Sequence, residues 1–363
     1  MNVLWRMLMK LWTTTIGALL MAAFAASAHA GTVPKYTVQS FATSTSTTPG
    51  RVSSNGQMVG LTYVGSNLAA FITSGNSSAI TPPINGVVYA QAINASGQIA
   101  GNSSLNYPGS QVYFASGGTI TALGLGGGYS ALGNMNDSGV VVGSAQTASG
   151  EVHAFYSSNG GAAQDLGTLS GGTSSYAYGV NAAGDAVGQA TAANGVGHAV
   201  IYKNNSIIDI GGAYSDSGWS SAHDINSSGQ VAGTMQYDRS FNGSVSFVWD
   251  NGNYQVLSMY GAVGIDDSGT VVGYNEFGTT GMIWRDGSYY YLQDVLATPN
   301  SWSILSVEDV NGAGQISAWG CNAAGSQCGA ILLTPVPEPE TYAMLLGGLA
   351  LCGLLARRRK LAA

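Results

Sequence analysis

The chain has 363 residues, of which 53 are glycine; charged residues make up only 8% and hydrophobic residues 45%. Helical proteins need many Lys, Glu and Arg on their wet faces, and disordered chains contain few hydrophobic residues, so the composition argues against both classes. Residues 31–335 carry five basic and sixteen acidic side chains, a net charge of −11. An acidic body without a basic patch argues against nucleic acid as a partner.

The first 30 residues predict a secretory signal peptide. Arg6 and Lys10 place positive charge ahead of an apolar core over residues 16–26, and Ala28-His29-Ala30 fits cleavage after small residues. The alternative is an uncleaved membrane anchor, but the core is shorter than the roughly 20 apolar residues that a membrane-spanning helix needs. We therefore expect export, with a mature body that begins at residue 31.

One phrase occurs seven times in the body. An apolar residue is followed by Asn or Asp, two small residues, Gly, and an apolar stretch that usually ends in Gly, as in Ile225–Gly233. The first copy, Val52–Gly60, is slightly degenerate, with Ser53 in the Asn position. The first Gly of the phrase recurs at positions 56, 97, 139, 184, 229, 269 and 314, at intervals of 40–45 residues. Asn at i and Gly at i+3 favour a tight turn, because the Asn side chain bonds nearby backbone and Gly accepts positive φ. Each phrase therefore predicts a β-hairpin.

Each repeat contains two further predicted strands. An apolar strand such as His198–Tyr202 is followed by a second tight turn and a closing strand such as Ile207–Ile210. Four short antiparallel strands, named A to D here, in 40–45 residues match the size of a β-propeller blade. The predicted fold class is all-β, a seven-bladed β-propeller of four-stranded antiparallel blades.

The two ends of the repeat array predict how the ring closes. The seventh repeat reaches strand C, Ala330–Leu333, and then runs into the C-terminal segment without a strand D. An orphan strand, Tyr36–Phe41, precedes the first repeat. We predict that this N-terminal strand supplies strand D of the seventh blade, so that the ring has no exposed edge.

The C-terminal segment, residues 336–363, has three parts in order. Pro337, Glu338 and Pro339 precede an apolar run, 341–356, which is predicted to be a transmembrane segment, and a basic tail follows with Arg357, Arg358 and Arg359. This arrangement closely resembles the PEP-CTERM sorting signal of Gram-negative bacteria. The resemblance implies recognition by an exosortase in the inner membrane and delivery to the cell surface or an exopolysaccharide matrix. An ordinary C-terminal membrane anchor is the alternative.

The repeats resemble the extracellular HAF repeat family over most of residues 50–335. The clearest match joins His153-Ala154-Phe155 to Asp165-Leu166-Gly167, and His198-Ala199-Val200 with Asp209 is a weaker copy. Other repeats lack the His. The resemblance implies an exported repeat protein and specifies no reaction.

The candidate ligand face is the one that carries the longer loops. In a propeller the A–B and C–D turns share one face, and the B–C loops and D–A connectors share the other; function usually lies on such loops above a rigid scaffold. The candidate residues on this loop face are Tyr129, Tyr176, Trp219, Tyr237, Arg239, Tyr274 and Trp319. Their rings would stack on sugars; the alternative is that they seal adjacent blades.

The search for catalytic residues finds no Gly-x-Ser-x-Gly, His-Glu-x-x-His or Gly-x-x-x-x-Gly-Lys motif. We therefore predict no catalytic, cofactor-binding or metal-binding residues and a non-enzymatic protein. Asp224 and Asp309 lie two residues before the strand-A Asn, where a propeller channel runs, so an ion there, or acids acting on a glycan, stays an open alternative. His153 and His198 hold equivalent strand-C positions, for which repeat packing is preferred over a shared metal site.

Cys321 and Cys328 have six residues between them and are assigned to the last B–C loop. In an exported protein such a pair predicts a local disulfide.

Together these features predict an exported protein of the cell surface or extracellular matrix. Its expected partners are an exosortase-type sorting enzyme, the export machinery, and a polysaccharide such as an exopolysaccharide, or another protein. Contact with the membrane is expected through the C-terminal segment before processing. The alternatives are a glycan-active hydrolase or lyase on a propeller scaffold and a purely structural surface protein.

Overall fold

The computed structural model describes residues 33–41, 47–64, 67–74, 77–81, 89–103, 109–212, 218–236, 244–275 and 277–336. Within these ranges 28 strands form seven four-stranded antiparallel sheets, and the 3₁₀ turn Leu292–Val295 is the only helical element. The predicted fold class, an all-β seven-bladed β-propeller, is confirmed.

The strands follow the chain in blade order. Blade 1 contains β2 (Thr48–Val52), β3 (Met58–Val64), β4 (Asn67–Ser74) and β5 (Ser77–Thr81), and blade 2 contains β6 (Tyr89–Ile93), β7 (Ile99–Asn102), β8 (Val112–Ser116) and β9 (Thr119–Leu123). Blade 3 contains β10 (Gly126–Met135), β11 (Val140–Thr147), β12 (Val152–Ser158) and β13 (Gln164–Asp165), and blade 4 contains β14 (Ser175–Val180), β15 (Ala186–Thr191), β16 (Gly197–Lys203) and β17 (Ser206–Asp209). Blade 5 contains β18 (Ser220–Ile225), β19 (Val231–Gln236), β20 (Ser244–Asp250) and β21 (Asn253–Leu257), and blade 6 contains β22 (Tyr260–Ile265), β23 (Val271–Tyr274), β24 (Gly281–Arg285) and β25 (Ser288–Tyr291). Blade 7 contains β26 (Trp302–Val310), β27 (Ile316–Asn322), β28 (Cys328–Pro335) and β1 (Tyr36–Ser40).

The N-terminal strand closes the ring, as the sequence predicts. Strand β1 pairs with β28 in antiparallel register from Tyr36 opposite Pro335 to Ser40 opposite Ile331. Beyond this register, the Val336 N–H donates to the Lys35 carbonyl over 2.7 Å. The two ends of the ring therefore meet where the other blades have their C–D turn.

The hydrophobic core lies between the blades. The described residues form seven buried clusters, and each contains residues from two neighbouring blades, including the pair formed by blades 7 and 1. The glycine that ends the repeated phrase makes this packing possible. A Cβ on Gly143 would lie 2.8 Å from the Phe155 ring, and one on Gly233 would lie 2.6 Å from the Phe247 ring. In blade 7, where Ala318 replaces the glycine, the residue opposite is Ile331 rather than an aromatic residue.

The Asn of each phrase organises its A–B turn. In blade 3 the Gly139 N–H donates to the Asn136 carbonyl, and the Asn136 Oδ1 accepts the N–H groups of Ser138 and Val140, all over 3.0 Å. The turn glycines adopt φ between +75° and +88° in all seven blades, a region that strains a side chain with a Cβ. The phrase thus forms the same turn seven times.

The same Asn side chains link consecutive blades. The Nδ2 of Asn136 donates to the Asn181 carbonyl over 2.8 Å, and the Nδ2 of Asn181 donates to the Asn226 carbonyl over 3.2 Å. Asn226 continues to Asp266 over 2.9 Å, and Asn311 closes onto Ser53 of blade 1 over 2.7 Å. Each turn Asn therefore stabilises its own hairpin and the neighbouring blade at once.

Deleting residues 35–42 should abolish folding, because blade 7 loses its outer strand and the buried Tyr36 leaves the cluster between blades 6 and 7. A thermal melt followed by circular dichroism should show no cooperative transition. Thr37→Ala, an exposed change in the same strand, should keep the wild-type melt within about 0.5 kcal/mol. A deletion variant that melts like wild type would contradict strand closure.

Asn181→Asp should destabilise the ring by about 1–3 kcal/mol, since the Asn226 carbonyl loses its donor while the turn keeps its acceptor. Asn181→Ala should cost more, because the N–H groups of Ala183 and Asp185 also lose their acceptor. Asp266→Asn is the reciprocal control: it replaces a buried carboxyl group with an amide donor and should stabilise the protein. Denaturant unfolding measures the free energy of unfolding of all three variants. An Asn181→Asp variant as stable as wild type would show that the inter-blade bond contributes nothing.

Candidate functional site: the axial channel and its mouth

The axial channel is lined by residues that a bulge in strand A turns toward the axis. The register shifts just before the turn Asn in every blade, for example between Leu132 and Asn134 in β10 and between Val307 and Asp309 in β26. A bulge of this kind re-aims the side chains of the bulged strand. Two residues before the turn Asn, or its replacement, the seven blades carry Arg51, Ala92, Asn134, Gly179, Asp224, Gly264 and Asp309.

Arg51 extends across this channel from blade 1. Its Nη1 donates to Asp309 Oδ1 of blade 7 over 3.1 Å, and its Nη2 donates to the Gly133 carbonyl of blade 3 over 2.9 Å. The Nη2 also lies 3.5 Å from the Tyr178 carbonyl of blade 4. One guanidinium group therefore joins four of the seven blades.

Asp224 and Asp309 each bond to the next blade around the ring. The Oδ2 of Asp309 accepts the Val52 N–H over 2.9 Å, and the Oδ2 of Asp224 accepts the Ile265 N–H over the same distance. Both acids line one cavity of about 170 Å³ below Arg51. The sequence predicted that these acids reach the channel, and the structure adds that they share a cavity and that Arg51 is the partner of one of them.

Burial perturbs the ionisable groups of the channel. It raises the pKa of Asp224 to about 7, helped by the nearby Asp309 carboxylate and opposed by the Ile265 N–H and Arg51. Burial also raises the pKa of Asp309, although Arg51 and the Val52 N–H oppose the change. Perturbed groups that share a cavity occur at functional sites and in structural ion networks alike.

The channel opens on the loop face into a pocket of about 350 Å³ that is lined by blades 7, 1, 2 and 3. Arg51 forms its floor, Gln91 and Glu308 supply polar side chains, and Pro49 and Leu132 supply apolar surface. Burial raises the pKa of Glu308, whose Oε1 accepts the Ser306 hydroxyl over 3.0 Å. The pocket therefore offers hydroxyl-binding groups beside apolar contact.

Aromatic rings gather on blades 3 to 5, where the Tyr178 carbonyl faces Arg51, and none of them lines the pocket itself. The rings of Tyr176 and Tyr178 stack with centroids 6.2 Å apart, and His223 meets Tyr178 edge-on at 6.4 Å. Burial raises the pKa of Tyr178 to about 12, and the hydroxyls of Tyr176 and Tyr129 add to the rise. Tyr129 and Tyr176, predicted as ligand residues, therefore both lie close enough to Tyr178 to influence it.

The other predicted ligand residues occupy varied environments. Trp219, which precedes β18, is 40% exposed. The Tyr274 hydroxyl donates to the Val307 carbonyl over 2.8 Å and accepts the Val307 N–H, so this ring joins blade 6 to blade 7, which is the packing role given as the alternative. Trp319 is half-buried in strand β27, and Tyr237 and Arg239 lie outside the described residues.

Several residues of this region were not singled out from the sequence. Arg51, Gln91 and Glu308 line the pocket, and Tyr178 and His223 lie three residues before the turn Asn of their blades. His223 Nδ1 donates to the Ala262 carbonyl over 2.7 Å, and its burial lowers the pKa of the imidazole. The signal that finds such residues is their fixed distance from the turn Asn when the repeats are aligned.

The two strand-C histidines are paired within their own blades. His153 Nδ1 lies 2.8 Å from Asp165 Oδ2, and His198 Nδ1 lies 2.8 Å from Asp209 Oδ2. The other carboxylate oxygen of each Asp accepts a backbone N–H, from Gly167 over 2.7 Å and from Gly212 over 2.9 Å. Among the described residues, no group of three or more His, Cys, Asp or Glu is placed to hold a metal ion.

Cys321 and Cys328 are joined by a disulfide. The two residues face each other in the register of β27 and β28, so they belong to paired strands at the base of the last B–C loop rather than to the loop itself.

Comparison with known proteins identifies the C-terminal segment. Residues 335–360 match the PEP-CTERM protein-sorting motif. This motif is recognised by exosortase-type sorting enzymes and indicates export to the cell envelope or surface. The motif residues Pro337, Glu338 and Pro339, the predicted transmembrane segment 341–356, the basic tail and the predicted signal peptide 1–30 lie outside the described residues. Within the described part of the chain, no helix is long and apolar enough to span a membrane.

The solved structures that resemble this chain include a β-propeller domain. YCF48 from Cyanidioschyzon merolae is 11% identical, with a TM-score of 0.43 over 83% of this chain and 99% of that one. The β-propeller domain of the Trilobed protease from Pyrococcus furiosus is 11% identical, with a TM-score of 0.47 over 69% and 82%. Acylaminoacyl peptidase from Pyrococcus horikoshii is 11% identical, with a TM-score of 0.43 over 75% of this chain and 50% of that one. No curated protein matches the sequence. Likeness at this level does not extend to function.

Asp224→Asn should flatten the pH dependence of stability. The native pKa is raised to about 7 from an unfolded value of about 4, so between these values the native state holds a proton that the unfolded state lacks. Stability therefore falls as the pH rises through this window. The raised pKa values of Glu308, Asp309 and Asp266 also make stability fall as the pH rises. The lowered pKa of His223 has the opposite effect on stability below the ordinary histidine pKa of about 6.5.

Melting temperatures of both proteins at pH 4.5 and pH 7.5 provide the measurement. Wild type should lose more stability across this interval than Asp224→Asn, which keeps an oxygen acceptor for the Ile265 N–H. An equal loss in the two proteins would show that Asp224 is ionised throughout the window.

Proposed function

We propose that the protein is a surface or matrix component that binds polysaccharide on its loop face without turnover. The exported propeller would be recognised by an exosortase-type enzyme and come to rest at the outer surface or in an exopolysaccharide matrix. A protein ligand on the same face is the second candidate within this class.

The observation that carries the proposal is the place where the sorting motif leaves the ring. Strand β28 ends at Pro335, and Val336 is hydrogen-bonded to Lys35 in the position of a C–D turn. The matched motif begins at residue 335. The tail therefore leaves from the face that carries the A–B and C–D turns, and the loop face with its pocket and tyrosine rings points away from any tether.

The chemistry of the mouth suits sugars. Stacked Tyr176 and Tyr178 offer aromatic faces for sugar C–H groups, while Gln91, Glu308 and Arg51 offer hydrogen-bonding groups for hydroxyls. Deeper in the channel, Asp224 and Asp309 already accept backbone N–H groups and Asp309 is paired with Arg51. Their engagement supports binding over catalysis.

A glycan-active hydrolase or lyase is the alternative function, and one observation favours it. Asp224 and Asp309 share a cavity, and paired carboxylates in different environments are the usual equipment of glycoside hydrolysis.

We also propose that the repeats belong to the HAF type. In the blade that matches best, Ala154 and Phe155 are fully buried, while His153 and Gly167 are both bound by Asp165. The spaced residues of the motif thus form one local unit that ties strand C to strand D and to the connector that follows.

The test is a binding assay of the full exported chain on a panel of immobilised polysaccharides, with reducing ends measured in parallel. We expect retention without release of reducing ends. Tyr176→Ala should weaken retention by about 2- to 10-fold, because an aromatic contact of about 0.5–1.5 kcal/mol is lost.

Tyr291→Ala, which removes an exposed tyrosine from the outer strand of blade 6, is the matched control and should bind like wild type. Release of reducing ends would favour the enzyme, and absence of binding to every polysaccharide would favour a protein ligand or a purely structural role.

A further inference from the structure

Two grooves open between neighbouring blades on the turn face, opposite the channel mouth. One lies between blades 3 and 4 and encloses about 590 Å³, and the other lies between blades 5 and 6 and encloses about 510 Å³. Each has room for a sugar unit, and neither contains a residue of the channel.

The grooves are built from equivalent positions of the repeat. On one side, Tyr156 of β12 pairs with Gln164 of β13 in the first groove, and Val248 of β20 pairs with Gln255 of β21 in the second. On the other side, each groove is bordered by the turn glycine and a C-strand aromatic residue of the following blade. These residues are Gly184 with Tyr202 and Gly269 with Trp284.

Both grooves combine aromatic surface with exposed amides. Tyr202 and Trp284 are largely buried, so only their edges contribute to the groove. Gln164 and Gln255 are exposed at the same register position, and Gln39, which holds this position in blade 7, is half-buried. Amide groups donate and accept, which matches the mixed requirements of sugar hydroxyls.

The carboxylates in and beside the grooves already have partners. Asp185 pairs with Lys203, and Asp165 with His153. Asp250 accepts the Nδ2 of Asn251 over 2.9 Å and the Nε2 of Gln230 over 3.2 Å. Asp286, which also lines the second groove, has its Oδ2 3.6 Å from the Nε of Arg285. Since these charges are engaged, the groups that remain for a ligand are mainly neutral amides and hydroxyls. This favours an uncharged polysaccharide over a cationic peptide.

We infer that the two grooves are binding sites for neutral polysaccharide and that the protein cross-links polysaccharide chains through opposite faces of the ring. The inference rests on the proposed function, which places one ligand site on the loop face. Two grooves at equivalent positions of the repeat also suit a polymer that repeats its own units, because a second contact on the same chain adds avidity.

The experiment compares binding with cross-linking. The full exported chain is mixed with soluble neutral polymers (dextran, amylose, galactomannan and mixed-linkage β-glucan), with alginate as an anionic polymer and with polylysine as a cationic one. Retention is measured by affinity electrophoresis and cross-linking by viscosity. The wild-type protein should be retained by at least one neutral polymer and raise its viscosity.

Gln164→Leu with Gln255→Leu removes the equivalent amide from both grooves while keeping side-chain size. The viscosity increase should be about 10-fold smaller with the double variant than with wild type, because the avidity that the groove contacts add is lost. The double variant should still bind the polymer through the loop face. Gln327→Leu, an exposed glutamine of the last B–C loop, is the control and should behave like wild type. Unchanged melting temperatures confirm that all variants are folded.

The outcomes separate this inference from the proposed function. A double variant that still cross-links like wild type overturns the groove sites and leaves polysaccharide binding standing. Selective binding of polylysine that the double variant loses assigns the grooves to a cationic peptide instead. A wild-type chain that is retained by none of the polysaccharides overturns both proposals.

Discussion

The rest of this ring depends on the hydrogen bonds made by the side chain of the turn asparagine. Its side-chain oxygen accepts N–H groups of its own hairpin turn, and its side-chain NH₂ donates to a backbone carbonyl of the next blade, as in Asn136, Asn181 and Asn226. Because these side chains are buried, the bonds form where water cannot compete. In the blades that keep the Asn, this one side chain therefore bonds its turn to the next blade, in addition to the packing between blades and the Arg51 contacts. Where the Asn is replaced, other bonds take over: Asn55 of blade 1 reaches Ala95 of blade 2.

Charged residues are scarce in this chain, and several of them lie together at the axis. Their burial there determines how each charge contributes to the contacts between blades. Asp309 and Arg51 meet in a buried cavity, where an ion pair loses hydration and must be satisfied by several bonds at once. Removing one partner would leave the other uncompensated, so this cluster acts first as a lock between blades. The loop face above it has a different character, because Tyr176 and the exposed Trp219 present rings rather than charges to solvent. The buried charges deeper in the channel thus stabilise the ring, and the aromatic rings on the loop face above them are the groups proposed to bind ligand.

The fold was predictable because each repeat independently predicts the same four-stranded blade. Seven copies of one phrase predict the blade number, and the missing last strand together with the orphan strand Tyr36–Phe41 predicts the closure, which the structure confirms. The site was less predictable, since alternation along a strand does not reveal a bulge. The bulge before Asn134 and its equivalents places Arg51 against Asp309, some 258 residues away in sequence. The inter-blade grooves were also hidden, because they depend on how the D strand of one blade meets the turns of the next.

The seam of the ring also determines how the protein bears a mechanical load. Any drag on the ring that is resisted by the C-terminal tail enters the fold along β28, through Pro335. This strand is hydrogen-bonded on both sides, to β27 and to β1, and antiparallel bonds run perpendicular to the strand. A pull along the strand therefore loads all these bonds together in shear instead of opening them one by one. The Cys321–Cys328 bond lies at the far end of the same strand, where it prevents β28 from sliding past β27.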